Sequence, residues 1–457
     1  MNKSSYIVIV LLTTLAIGLP LLNEASAATY VSNLPNGSGT WTSTNSPYYL
    51  TSNLVINNGE TLNIQSGVMV HLNGYQIQVY GTLNAQGSNN NEIYFSNDGN
   101  SNSQIIFTPS SSSTCTIDYA VFYSVPITID GGASTIRILD SYFTSTSSNA
   151  LITVNSGFVS IKSNIFSGQN SQDGIHINNG YVTITSNTIS GANYGIYNTG
   201  SLAPITSNTI TSCFSGIYTS MEIAIQNNVI AYNTNDGIVT QTATVSILNN
   251  AISFNKVGIS RDANIQNNTL FHNTYALWGQ TSGSKIHYNN ILESTTENVH
   301  LTETAVDVDA TYNWWGTTDE ASISQTISDY KVHSNLGNLT FTPFLSQSAD
   351  ALAVPTSIVV PTPPPTPTTT PLTTATPITS TTSPTPIIVT PSNAPYPSET
   401  APSTPTMTPQ PLQSSDTTEF GGFSATDVTT AVVIVVAVCV TITIIAVINR
   451  SFGHDKK

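Results

Sequence analysis

From residue 117 to residue 292 the chain repeats about every 21 residues, and the repeat shows in single columns. One column is isoleucine: Ile117, Ile138, Ile161, Ile184, Ile205, Ile225, Ile247 and Ile265. Three residues later comes a second, Ala120, Ser141, Asn164, Asn187, Asn208, Asn228, Asn250 and Asn268, continued by Asn290. Two further on is a third: Phe122, Phe143, Phe166, Ile189, Ile210, Ile230, Ile252, Leu270 and Leu292. A Gly-Ile pair begins at Gly174, Gly195, Gly216, Gly237 and Gly258, each 21 residues after the last. A period this short has no room for a pair of helices. It suits a solenoid, in which each unit buries its apolar face against the next.

The segments alternate like half-buried strands, as in Val182-Thr183-Ile184-Thr185. Each coil should hold two or three short strands, and successive coils should stack in parallel about 4.8 Å apart. The Ile and Phe/Ile/Leu columns then become inner stacks. Ile184 and Ile189 are five residues apart, which a straight strand would send to opposite faces. The chain must bend between them, and the expected bend is at Asn187. Asn tolerates left-handed backbone, and a column of Asn can bond amide to amide from coil to coil, as in stacked cross-β ladders.

These columns resemble the right-handed parallel β-helix proteins, including the repeats of carbohydrate-binding and sugar-hydrolysing surface proteins and of NosD-type periplasmic proteins. The resemblance runs from about Tyr48 to Leu345. Gly59-Glu60-Thr61-Leu62-Asn63-Ile64 and Gly81-Thr82-Leu83-Asn84-Ala85 resemble opening coils of such surface proteins. Asn313-Trp314-Trp315-Gly316 with Asp319 is similar to the closing motif of archaeal and bacterial members. The implied fold is all-β: a right-handed parallel β-helix with a short C-terminal capping helix, then a disordered stalk and one transmembrane helix. Physically, Thr317 and Glu320 fit a capping box for a helix over Ser322 to Tyr330. Leu339 to Leu345 reads as a last strand, and Trp314 and Trp315 supply apolar bulk to close the open end.

The flanks place this solenoid outside a cell. Residues 1–27 read as a secretory signal peptide, with Lys3, an apolar run from Ile7 to Leu22, and a small-residue site at Ala25-Ser26-Ala27. The β-helix ectodomain is expected over 28–348. Residues 349–420 read as a stalk: Pro355 to Pro411 holds 17 of the 24 prolines among Thr and Ser, suited to polyproline II and O-glycosylation. Val428 to Ile448 is an uncharged run long enough to span a bilayer. The tail 449–457 carries Arg450, Lys456 and Lys457, which puts the C-terminus in the cytoplasm. The expected location is the cell surface, as in an archaeal-type envelope protein. Asn36 and Asn338 are ectodomain N-glycosylation sequons.

Residues 28–353 carry 19 Asp/Glu against 6 Lys/Arg, a formal charge of −13. That excludes nucleic acid, which needs a basic surface, and disfavours tight binding of polyanionic polysaccharides. Neutral glycans, cations and neighbouring surface proteins remain as partners. Cys115 and Cys213 should lie about four coils, roughly 19 Å, apart, too far for a disulfide. Cys439 falls inside the apolar span.

Catalytic signals are sparse. The Asn-Thr-Asp, Asp-Asp, His-Gly and Arg-Ile-Lys signatures of polygalacturonase-type β-helix enzymes are absent. Asp173 and Asp236 share a face three coils apart, about 14 Å, beyond the 5 to 9.5 Å or so that glycoside hydrolysis uses. Glu222 and Asp262 share another position two coils apart, near the inverting range, with Arg261 adjacent; they are the catalytic candidates. His176 and Asp173 have a spacing suited to one half of a metal site. The acids Glu293, Glu297, Glu303, Asp307 and Asp309 form an oxygen-rich stretch in which Glu303, Asp307 and Asp309 are candidate calcium ligands. No other cofactor is expected.

One further column follows the Gly-Ile pair and should point outward: His176, Tyr197, Tyr218, Val239, Ser260 and Trp278. Tyr194 and Tyr275 precede Tyr197 and Trp278 by three residues. Aromatics along one face can lie beneath sugar rings. These six aromatic residues are the candidate ligand-binding set. The leading expectation is non-catalytic glycan or surface-protein binding on the strand face. The alternatives are a polysaccharide hydrolase or lyase, and a purely structural envelope protein.

Overall fold

The computed structural model describes residues 27–351 and 353, apart from 35–36, 100–101, 109–113, 146–148, 170, 281–283 and 303–306. The expected leader, most of the stalk, the apolar span, the tail, Asn36 and Glu303 lie outside the described residues.

The chain forms a parallel β-helix. Short strands stack coil on coil into a 13-stranded sheet and a 25-stranded sheet, every named pairing between strands being parallel. The smaller sheet is one row, from Thr29–Val31 to Asn290–Leu292. The larger sheet holds two rows. One runs through the Gly-Ile strands such as Ser215–Thr219; the other carries the Ile column, as in Tyr181–Thr185. The long strands Ile127–Leu139 and Ile152–Lys162 pass through both rows and join them.

Inside, the expected columns stack in register. Ile117, Ile138, Ile161 and Ile184 pair in succession and are buried. Phe95, Phe122, Phe143 and Phe166 stack ring on ring at 4.9, 4.5 and 4.9 Å, and Ile189 continues that column. The Gly of the Gly-Ile pairs is explained by close backbone approach: a Cβ on Gly216 would lie 2.5 Å from the carbonyl oxygen of Gly237 one coil on.

The Asn ladder forms. Asn187 Oδ1 accepts from the Asn164 backbone N–H at 2.9 Å and from its Nδ2 at 3.1 Å, and Asn187 repeats both bonds to Asn208. The pattern continues through Asn228, Asn250 and Asn268. Two details differ from expectation. The left-handed residue is the one before each rung: Ser186 has φ 58° and Asn227 has φ 59°. The bend thus sits at Ser186, which frees the side chain of Asn187 to bond along the axis. The ladder also continues through Asn289, not Asn290, and ends at Asn313. That one-residue shift makes Ile291 the buried column member instead of Leu292. A second ladder, Asn233–Asn255–Asn273, lines the next corner, with the Cys213 N–H donating to Asn233 Oδ1 at 3.0 Å.

The closing segment also differs. Asp319, rather than a Thr317–Glu320 box, caps a single-turn helix, Glu320–Ser324. Beyond it the chain returns to strand: Ile327–Ser328 pairs with Val299 and His300, and Leu339–Thr340 with Val308 and Asp309. Extending the sheet satisfies backbone groups that a helix over Ser322 to Tyr330 would leave unpaired at the sheet edge. Trp315 is buried and packs edge-on to Phe341, whereas Trp314 is half-buried. Among the described residues no helix is long and apolar enough to cross a membrane.

Candidate functional site: an open interval in an aromatic stack

The outward column after the Gly-Ile pair is assembled by strand register. Thr153, His176, Tyr197, Tyr218, Val239, Ser260, Trp278 and His300 pair in succession, one per coil. All except Ser260 stay at least partly exposed. Their rings do not lie flat as a platform. They stand on edge and stack on each other: His176 on Tyr197 at 4.7 Å, Tyr197 on Tyr218 at 4.6 Å, Trp278 on His300 at 3.9 Å. Tyr194 packs edge-on to Tyr218, and Tyr275 edge-on to Trp278. This corrects the expectation of ring faces beneath a sugar chain, because the coil spacing falls within the centroid separation that stacked rings adopt. Only the ends of each stack offer an open face.

Those ends face an interval. Tyr218 and Trp278 are three coils apart, roughly 14 Å, and between them the column is Val239 and Ser260. A cleft of about 830 Å³ opens there, lined among others by Val239, Ser260, Tyr275 and Trp278. His300, which sequence reasoning missed, stacks behind Trp278; its Nδ1 lies 2.6 Å from Glu297 Oε2. The same i,i+3 arrangement holds His176 to Asp173 at 2.7 Å. The two His rings are thus oriented by carboxylates.

Four charged residues line the cleft: Asp236, Lys256, Arg261 and Asp262. Asp236 accepts from Ser260 Oγ and from Asn235 Nδ2. Burial pushes its carboxyl above the usual range, against those hydrogen bonds and the charges of Lys256 and Arg261. Asp262 Oδ1 accepts from Ser284 Oγ at 3.0 Å. Glu222 holds the register position expected from Asp262 through Ser246 and Ala224, but it is exposed and is not among the cleft residues. The cleft therefore holds Asp262 and Asp236 in one lining, without Glu222. Asp236 was visible in the sequence only as a partner for Asp173.

Asp307 Oδ1 accepts the Asn338 backbone N–H at 2.9 Å, and Asp309 binds Thr311 and lies 3.1 Å from His287. Among the described residues no three His, Cys, Asp or Glu side chains converge as metal ligands. The half-buried Asn338 side chain donates to Thr340 Oγ1 at 3.2 Å.

Residues 126–270 and 173–313 match the family model described as the right handed beta helix region. The fold is a right-handed parallel β-helix. Similar solved structures include the periplasmic alginate epimerase AlgG, 13% identical over 70% of this chain and 82% of that one, with a TM-score of 0.28. Another is the GH136 lacto-N-biosidase from Eubacterium ramulus, 10% identical over 64% of this chain and 62% of that one, TM-score 0.32. At these values the likeness bears on neither site nor activity. No match was found among curated proteins.

Proposed function

We propose that this β-helix is a cell-surface glycan-binding protein and that the cleft beside Tyr275 and Trp278 holds the sugar. The observation that carries the reading is the interruption of the ring stack at Val239 and Ser260, over a cleft of about 830 Å³. Sugar rings have apolar C–H faces that pack on aromatic planes, and Tyr275 and Trp278 line the cleft. Ser260, Asp236 and Asp262 are at hand for hydroxyl groups. The surface location is read from the sequence flanks: a leader, a Pro/Thr/Ser stalk and an apolar span followed by basic residues. The test is binding of the full-length protein to a glycan array. The expected result is saturable binding to one glycan class that Trp278→Ala abolishes while the thermal melt is unchanged. Binding that survives Trp278→Ala would place the ligand elsewhere.

A second reading, hydrolysis or elimination at the same cleft, is favoured by Asp236 alone. A carboxyl held toward its protonated form by burial is what a general acid requires. Release of new reducing ends or unsaturated products by the wild type, absent in Asp236→Asn, would select it over pure binding.

A further inference from the structure

We infer that the cleft takes the acidic end of a glycan: a terminal sugar bearing a carboxylate or sulfate, rather than a neutral sugar or the interior of a polymer. This rests on the glycan reading above and names its ligand class. The ectodomain stretch 28–353 has only six basic residues against 19 acidic ones. Two of those six, Lys256 and Arg261, line this one cleft. Both are exposed. Among the described residues neither lies within ion-pairing distance of a carboxylate, since every such pair joins a His to an acid. In a strongly acidic ectodomain, two unpaired cations over one cavity make a local exception to the surrounding repulsion. The cleft also holds Asp236 and Asp262, but both accept hydrogen bonds from protein hydroxyls, of Ser260 and Ser284.

The preference for a chain end comes from the walls. The stacked rings of Tyr197 and Tyr218 on one side, and of Trp278 and His300 on the other, stand across the direction in which the coils stack. A polymer lying along that direction must climb over them. The interval of roughly 14 Å has room for only a short stretch of sugar.

The experiment is an array of matched oligosaccharides, neutral, uronic-acid-ended and sulfate-ended, probed with the full-length protein at low and at physiological salt. Acid-ended members should bind roughly tenfold or more tighter than their neutral counterparts, the scale of one charge-assisted hydrogen bond, with the advantage shrinking as salt rises. Lys256→Gln with Arg261→Asn should remove that advantage; Asn tolerates the left-handed backbone of Arg261, at φ 71°. A thermal melt checks that the double variant is folded. Equal binding within pairs, or tighter binding of long polyuronates than of acid-ended oligosaccharides, overturns this inference and leaves the glycan reading standing. If no member of the array binds, the glycan reading fails and this inference fails with it.

Discussion

Asn228→Ala tests the central claim about what holds the coils together. The Asn228 side chain is fully buried. Its Oδ1 accepts from the Asn208 backbone N–H at 2.8 Å and from Asn208 Nδ2 at 3.1 Å. Its Nδ2 lies 3.0 Å from each of three acceptors, the carbonyl oxygens of Ile205 and Gln226 and Asn250 Oδ1. Alanine leaves the Asn208 N–H without its acceptor in a site closed to water, at about 1–3 kcal/mol, and loss of the bonds made by the two Nδ2 hydrogens adds about 1 kcal/mol each. The expected loss is therefore about 3–5 kcal/mol. Urea unfolding followed by circular dichroism reads it as a fall in midpoint at constant slope. A lower slope would mean that the coils on either side of the broken rung now melt separately. A loss below about 1 kcal/mol would refute the argument that the ladder, rather than the apolar stacks alone, stabilises the corner.

Two further outcomes follow from the ionisable groups. A hydrogen bond from His71 holds the Asp98 carboxyl below its ordinary value, with Ser96 assisting and burial opposing. A depressed carboxylate stabilises the fold above its unfolded pKa near 4 and loses that contribution as pH falls through the folded value. Wild type should thus out-melt Asp98→Asn at pH 7, and the gap should close as pH falls through the depressed folded value; a gap that persists in strong acid would exclude this pair as the cause. Cys213 is buried, and burial pushes its thiol to about 12. Cys115 is equally buried, beside the Gly81 carbonyl in a different part of the solenoid. Peptide mapping after alkylation of the native protein at pH 8 should find neither modified, and non-reducing maps should show no link between them. Rapid native labelling of Cys213, or a Cys115–Cys213 bridge, would overturn the placement of both.

The sequence made the solenoid legible because a stacked fold writes its register into columns. Ile117 to Ile265 and Phe122 to Phe166 needed only counting. The misplacements have local causes. Asn289 and Asn290 are adjacent, so the column alone could not say which one bonds along the axis. The bend at Ser186 was assigned to Asn187 because a propensity for left-handed backbone was credited to the Asn, whereas the Asn has a hydrogen-bonding role and its neighbour takes the turn. The site was half legible. The outward column was correct, but the orientation of the rings depends on the coil rise. The sequence column holds Val239 and Ser260 only as outward positions, and both line the cleft. The link between Asp236 and Asp262 crosses two positions of a coil, which spacing within one column does not reveal.

The ladder has one more consequence, for chemical ageing. Asn deamidates when the backbone nitrogen of the next residue attacks its side-chain carbonyl. At each rung that nitrogen is already committed: Thr209 N–H donates to the Asn187 carbonyl at 2.8 Å, Val229 N–H to Asn208 and Ala251 N–H to Asn228. The rung's Oδ1 is likewise held by the preceding coil. The contrast is the exposed Asn179-Gly180 pair, where the Gly180 N–H bonds to the side-chain oxygen of Asn179 itself, at 2.8 Å. Such a protein can carry an unusual number of Asn residues and age first at its turns, while the rungs that hold its coils keep their amides.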